Sequence, residues 1–390
     1  MDLKNRLNKN LNKITVSAIR LFDQEVSTIP GIQKLTLGEP NFFTPDHVKQ
    51  AAIKSIQDNQ NHYTHNAGLI ELRQAIADFY QEKYALKFRA EDEILTTVGV
   101  TEAISTVIYS IIEANDQILI PAPAYPGYGA PILLNGGEIV EIDTRSEGFL
   151  LTPYLLDNTL KNSPRAKALI LNYPSNPTGA SYSREQLAQL AKVISQYNIF
   201  VIADEVYSEL SYSLEGHHSI AEFIPEQTII LNGLSKSHAM TGWRIGYILA
   251  QRELISEFTK THQYLVTAAS TTSQYAALEA LRNGKDDPNV MKKAYIERRD
   301  FLVKSLKTLN FQVINPAGAF YIFAKIPEFV SLNSHDFLLD FAKKKSFAFI
   351  PGSAFGKFGE GYVRISYASS MEVIKSAMSA LDDYLKEYLN

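Results

Sequence analysis

The 390-residue chain has no cysteine. That removes disulfides, thiolate nucleophiles and cysteine-ligated metals from consideration. Neither sign of charge prevails: 38 basic and 42 acidic residues leave a formal charge of −4, so no basic field points toward nucleic acid or anionic membrane. No run of about 18 apolar residues occurs, so no membrane-spanning helix is expected. The opening MDLKNRLNKNLNK lacks the apolar stretch of a secretory signal, which makes a cytoplasmic location the expectation. Common site motifs are missing too. The eight histidines form no H-E-x-x-H, and His62/His65 and His217/His218 have no third ligand close in sequence, so no metal is expected. The segment from Gly352 to Lys357 has one residue too few between its glycines for a phosphate-binding P-loop, and no G-x-G-x-x-G follows a strand. The single tryptophan, Trp243, reads as packing.

What is present is an ordinary soluble composition, 45% apolar and 21% charged, on a length that suits a large domain with a smaller one. From about residue 45 to 285, helices alternate with short β-branched runs. Residues 47–59 read as a helix with Val48, Ala51, Ala52, Ser55 and Ile56 on one side. Residues 93–99 read as a strand, after which Thr101 is placed to cap a helix. Further strands are read at 117–120, 138–142, 168–172, 199–204, 228–233 and 246–250. A helix over 183–197 carries Ser183 as cap, with Gln186 at capping-box distance. This alternation predicts an α/β fold, a mostly parallel sheet with helices on both faces. After about 285 the pattern changes to a long helix (288–309), alternating strands at 319–326 and 362–368, and helices at 335–345 and 370–388, as in a smaller α+β domain. The expected division is residues 1–44 as an arm and the start of the small domain, 45–285 as the large domain and 286–390 as the small one.

Reactive groups of a parallel sheet collect where its strands end at the carboxyl edge. Asp204 finishes a buried apolar strand, a costly place for a carboxylate without a partner. Asn176 sits in the turn Y-P-S-N-P-T-G, fixed by two prolines. Ser235 and Lys236 follow TIILNG. Gly99-Val100-Thr101 open a helix whose first N–H groups suit a phosphate. Tyr125 projects from P-A-P-A-Y-P. A lysine amine, a carboxylate, a phosphate cradle, neutral donors and a flat ring are what a pyridoxal phosphate site requires.

The set N-P-T-G (176–179), D-E-V-Y (204–207) and S-K-x7-R (235–244) resembles the fold-type-I pyridoxal-phosphate-dependent aminotransferases of the aspartate aminotransferase superfamily. The resemblance runs in order from LGEP (37–40) to YVRIS (362–366). It implies that Lys236 carries the cofactor as a Schiff base and moves the substrate proton, helped by positive charge at Arg244 that lowers its pKa. Asp204 would face the pyridine nitrogen, while Tyr207 and Asn176 would bond the ring's phenolic oxygen. Ser235, Arg244 and the backbone at Val100 and Thr101 would hold the phosphate, with Tyr125 stacked on the ring. Arg364, with Asn176 and backbone near Gly38, would bind the substrate α-carboxylate. Tyr63, in NHYTHNAG, would reach the phosphate of a neighbouring subunit, which implies a homodimer.

The same resemblance implies a transfer of amino groups from an L-amino acid to a 2-oxo acid such as 2-oxoglutarate. It is nearest a Gram-positive branch of aromatic amino acid and N-acetyl-LL-diaminopimelate aminotransferases, and an aromatic donor is the first expectation. Ile19, Phe42, Tyr128, Tyr321 and Phe355 are candidate pocket walls, and Arg20 is a candidate cation for a second carboxylate. A carbon–sulfur β-lyase would keep the same lysine and aspartate. A regulator on this fold needs a DNA-binding module ahead of LGEP, where about 35 residues stand, so an enzyme is expected. Two positions depart from the family pattern. His238 replaces a frequent aromatic and is expected to have no part in proton transfer, and Val100 replaces a smaller residue, so its side chain must point away from the phosphate.

Overall fold

A computed structural model describes residues 3–387. Seven strands form the main sheet: β1 (Ile94–Thr97), β2 (Gln117–Ala122), β3 (Glu138–Asp143), β4 (Ala166–Asn172), β5 (Phe200–Asp204), β6 (Thr228–Gly233) and β7 (Gly246–Leu249), in the order β1-β7-β6-β5-β4-β2-β3. Strands β3, β2, β4, β5 and β6 pair in parallel. Strand β7 is antiparallel to both neighbours. Between β6 and β7 the chain makes only the four-residue helix Leu234–Ser237 and a turn, too little for the crossover a parallel return needs.

Successive side chains of a strand point to opposite faces, and the apolar runs use both. Ile118, Ile120, Ile170 and Ile202 pack with helices Gly99–Ile111 and Arg252–Val266 on one face. Leu119, Leu169, Leu171, Val201 and Ala203 pack with helices Pro153–Lys161 and Arg184–Ile194 on the other. Each fully buried aliphatic side chain contributes roughly 1.5–3 kcal/mol, so the sheet is a stiff platform for what stands at its edge. The capping box of Ser183 and Gln186 is present. Ile56, expected to face inward, is 63% exposed; helix Asp46–Gln57 buries Val48, Ala52 and Ser55 instead.

A second, four-stranded antiparallel sheet comprises β8 (Gln312–Val313), β9 (Tyr321–Lys325), β10 (Ile350–Pro351) and β11 (Tyr362–Ser366), in the order β10-β11-β9-β8. Helices Pro288–Thr308, Ser334–Lys345 and Met371–Lys386 supply its apolar cover. Helix Ala18–Val26 joins the same core through Phe22 and Val26. Among the described residues no helix is long and apolar enough to cross a membrane.

Candidate active site

The carboxyl ends of β4, β5 and β6 and the helix after β1 open into one cavity of about 530 Å³. Asn172 and Asp204 are register partners at the ends of β4 and β5. The Asn172 amide donates to the Asp204 main-chain oxygen at 3.0 Å and its Oδ1 accepts from the Asn176 N–H at 2.8 Å. One side chain thus ties the proline-flanked turn to the strand that carries the acid. Below it, fully buried Glu205 accepts from the hydroxyls of Ser219 at 2.5 Å and Tyr173 at 3.1 Å, which holds the D-E-V-Y segment down.

Asp204 is 4% exposed. Burial pushes its carboxyl up to about 6, opposed by a 2.6 Å hydrogen bond from the Tyr128 hydroxyl to Oδ2 and a 3.3 Å bond from the Val206 N–H to Oδ1. Lys236 leaves the short helix after β6 and donates from Nζ to the Gly38 carbonyl at 2.6 Å. Burial draws its ammonium down to about 8; Glu39 opposes that, and Arg244 adds to it. Tyr207 and Tyr321 share a 2.9 Å hydroxyl contact, and burial raises the Tyr207 phenol well above its ordinary range, so it stays a neutral donor.

The anion cradle depends on absent side chains. Gly99 has φ +74°, and a Cβ there would stand 2.6 Å from Arg244 Nη2. A Cβ on Gly246 would stand 2.8 Å from the Val100 nitrogen. Gly99 lets the guanidinium settle against the first turn of helix Gly99–Ile111, and Gly246 lets β7 approach the backbone of that turn, where free N–H groups and the helix dipole favour negative charge. Arg244 itself has φ 52°, a left-handed conformation that costs a non-glycine residue energy, and its Nη1 donates to the Thr241 carbonyl at 3.0 Å. Thr101 does not cap this helix. The helix starts at Gly99, and Glu102 accepts from the Val98 N–H at 3.0 Å from within the first turn. Val100 sends a methyl toward Gly233.

Arg364, on β11, is 2% exposed. Its Nη1 donates to Asn176 Oδ1 at 3.0 Å and its Nη2 to the Thr36 carbonyl at 2.6 Å. The guanidinium lies over the rings of Tyr321 (4.6 Å) and Phe355 (4.9 Å). No carboxylate pairs with it among the described residues, and its buried Nε has no partner. A buried cation without a counter-charge is costly, and an incoming carboxylate would complete it.

Of the residues selected from sequence, Lys236, Asp204, Tyr207, Asn176, Tyr125, Val100, Thr101, Ser235, Arg244, Arg364, Gly38 and Arg20 all line the cavity. Tyr63 does not; it stands 88% exposed. Of the candidate walls, Ile19, Tyr128 and Tyr321 line the cavity. Phe42 does not, since it packs edge-on against Tyr295 under Arg298, and Phe355 lies beneath Arg364. Trp243 donates to Thr44 Oγ1 at 3.0 Å. His238 is buried, with its ring 2.9 Å from both the Gly284 carbonyl and Ser237 Oγ, so it braces the lysine loop. Sequence reasoning missed Asn172 and the hydroxyl of Tyr128 as partners of Asp204. A polar residue ending an apolar strand, as Asp204 does, was the signal available for Asn172.

A doubly covered, mostly parallel sheet with a lysine, a buried carboxylate and a glycine-lined anion cradle at its carboxyl edge defines a fold-type-I pyridoxal-phosphate enzyme. The residues fit that cofactor: the cradle needs an anion, and Asp204 needs a cationic partner to offset its burial. The chain matches the family Aminotransferase class I and II over residues 30–381 and belongs to it. It is 43% identical to a probable N-acetyl-LL-diaminopimelate aminotransferase of Bacillus subtilis, covering 97% of this chain and 96% of that one. It is 35% identical to aromatic-amino-acid aminotransferase 2 of Thermococcus litoralis, over 98% of each. A solved structure of aspartate aminotransferase from Thermus thermophilus with maleate superposes with a TM-score of 0.90 at 31% identity, covering 96% of this chain and 98% of that one. The protein is an aminotransferase, and its cofactor is pyridoxal phosphate. The three relatives carry three different donor names, so kinship alone does not select the donor.

Proposed function

We propose that the protein transfers the amino group of an L-amino acid with an aromatic side chain to a 2-oxo acid such as 2-oxoglutarate. The observation that carries this reading is the convergence of Lys236, Asp204 and Arg364 on one cavity. Pyridoxal phosphate, when bound, supplies the electron sink that makes a Cα proton removable. Arg364 takes the substrate carboxylate through the donors it has not already committed, and so fixes which face of Cα meets the lysine. With a pKa of about 8, Lys236 holds a substantial neutral fraction in weak base, and its Nζ accepts and returns the Cα proton. Asp204, whose carboxyl is pushed up by burial to about 6, would pair with the ring nitrogen. Tyr207 and Asn176 would hold the phenolic oxygen, Tyr125 would cover the ring, and Arg244, Ser235 and the Val100 and Thr101 backbone would hold the phosphate. Gly38 offers its carbonyl to Lys236, so only its N–H can serve a carboxylate.

Ile19, Leu37 and Tyr321 on the cavity wall favour an apolar donor side chain. Arg20, also on the wall, is the candidate for the distal carboxylate of the acceptor. Tyr63, exposed here, reaches the phosphate of a second copy, so the working unit is a cytoplasmic homodimer with residues 45–285 as its cofactor-binding domain, flanked by 1–44 and 286–390. The Bacillus subtilis relative favours one second reading, N-acetyl-LL-diaminopimelate as donor. To separate these, the yellow holoenzyme is mixed with single donors and no acceptor, and its visible absorbance is followed alongside pyruvate and ammonia. The donors are Phe, Tyr, Leu, Asp, cystathionine and N-acetyl-LL-diaminopimelate. Fast bleaching by Phe or Tyr without ammonia is expected. Bleaching chiefly by the acetylated diaminopimelate establishes the second reading, and pyruvate with ammonia from cystathionine replaces both with a β-lyase.

A further inference from the structure

The segment Tyr125-Pro126-Gly127-Tyr128 is built around Asp204. Pro126 opens a single 3-10 turn over Pro126–Tyr128. A Cβ on Gly127 would stand 2.3 Å from Tyr125 Cε1, so only glycine lets the Tyr125 ring fold back across its own turn. That ring meets Tyr128 edge-on, with centroids 5.4 Å apart at 88°. Tyr128 is 2% exposed, wedged among Ile132, Ile170 and Ile202, and its hydroxyl reaches Asp204 Oδ2 at 2.6 Å. The turn thus delivers two aromatics to one site, Tyr125 to its surface and Tyr128 to the acid beneath.

We propose that Tyr128 is a positioning residue for Asp204: its hydroxyl holds the carboxylate ionised and turned, with Oδ2 satisfied and Oδ1 left for the cofactor's ring nitrogen. This rests on the reading of Asp204 given above. The donor role is fixed by chemistry. Burial and the neighbouring Asp204 charge raise the Tyr128 phenol well above its ordinary range, so it keeps its proton and gives a charge-assisted bond of the short, strong kind. The remaining contact of the carboxylate is the long one from the Val206 N–H, 3.3 Å to Oδ1. Without the phenol, the carboxylate would meet the same burial with that one weak donor, and it would bind a proton more readily.

The test reads Asp204 directly in the apoenzyme, with ¹³C-labelled aspartate and the signal assigned by its loss in Asp204→Asn. Tyr128→Phe should raise the titration midpoint of that signal by about one to two pH units. Tyr182→Phe, which removes a buried hydroxyl bonded to the Leu151 N–H, should leave it in place. Replacing Tyr128 by 3-fluorotyrosine keeps the shape and strengthens the donor, so the midpoint should fall; this arm holds even where Tyr128→Phe folds poorly. In the holoenzyme, Tyr128→Phe should lower kcat about 10-fold with KM for the donor within about twofold, and its pH profile should follow the shifted midpoint. An unmoved Asp204 midpoint in both folded Tyr128 variants overturns the inference, while Asp204→Asn still abolishes turnover. If Asp204→Asn instead leaves turnover and cofactor spectrum intact, the reading of Asp204 fails, and the role of Tyr128 falls with it.

Discussion

Replacing Asp204 with asparagine should disable the enzyme and stabilise the apoprotein. Burial raises the carboxyl from 3.8 to about 6. At ~1.4 kcal/mol per pH unit, carrying it ionised costs the empty fold about 3 kcal/mol. The sign follows from linkage. A group whose folded pKa lies above its unfolded value adds stability below about pH 4, and that stability is lost as pH rises through about 6. Asparagine has no charge to desolvate and can still accept from the Tyr128 hydroxyl. For a 390-residue chain, with an unfolding entropy of roughly 2 cal/mol/K per residue, 3 kcal/mol corresponds to about 4 °C in Tm. Scanning calorimetry of cofactor-free protein should therefore find Asp204→Asn more stable by about 4 °C at pH 7.5, with the gap closing near pH 4. Adding pyridoxal phosphate should narrow or reverse the gap, because on this reading the bound ring would give the carboxylate its partner. A variant no more stable than wild type at any pH between 5 and 8 would refute the claim that this acid is held against its own solvation.

Lys236→Ala should abolish the visible absorbance of the bound cofactor and lower turnover at least about 10³-fold; transamination at the wild-type rate would remove the lysine from the mechanism. Arg364→Ala should raise KM for the amino donor about 100-fold, since it deletes a buried charge-assisted fork, while equilibrium dialysis finds cofactor affinity changed less than about threefold. Equal losses in both would mean that Arg364 supports the cofactor cradle.

Much of the site was legible because its atoms hang on strand ends. Asp204 ends a short β-branched run and Lys236 follows another, and such runs are read from composition alone. The capping box at Ser183 and Gln186 was equally plain, for both partners lie within one turn. Helix Ile70–Tyr84 was not read. Its cap position is Leu69, whose N–H donates to Gln274 Oε1 at 2.7 Å, a partner 205 residues away. The cap of helix Gly99–Ile111 lies at Val98, three residues before Thr101, because a glutamate in its first turn does the work assigned to Thr101. Ile56 was placed inward by periodicity, but periodicity marks an apolar stripe without saying whether this chain's own core reaches its edge. The direction of β7 and the bond from Tyr128 to Asp204 arise only when distant segments meet.

The same division accounts for why the reaction was readable and its donor less so. Lysine and aspartate stand at the ends of β6 and β5, and the residues of the expected anion cradle are brought beside them by the pairing of β7 with β1 and β6. The wall that meets a donor side chain is drawn from elsewhere. Ile19 and Arg20 come from helix Ala18–Val26, Leu37 from the chain between that helix and the large sheet, and Tyr321 from β9 of the second sheet. Helix Ala18–Val26 is fixed chiefly by Phe22 and Val26 in the second core and by Asp23, which accepts from Lys34 and Thr36 at 2.9 Å each. Its outward residues, Arg20 among them, are free to vary without disturbing either core, and one methylene on such a wall changes preference by only about 1–3 kcal/mol. Chemistry is therefore held where the sheet fixes atoms. Selection is held on segments that pack against it from the side, where substitution costs the fold little.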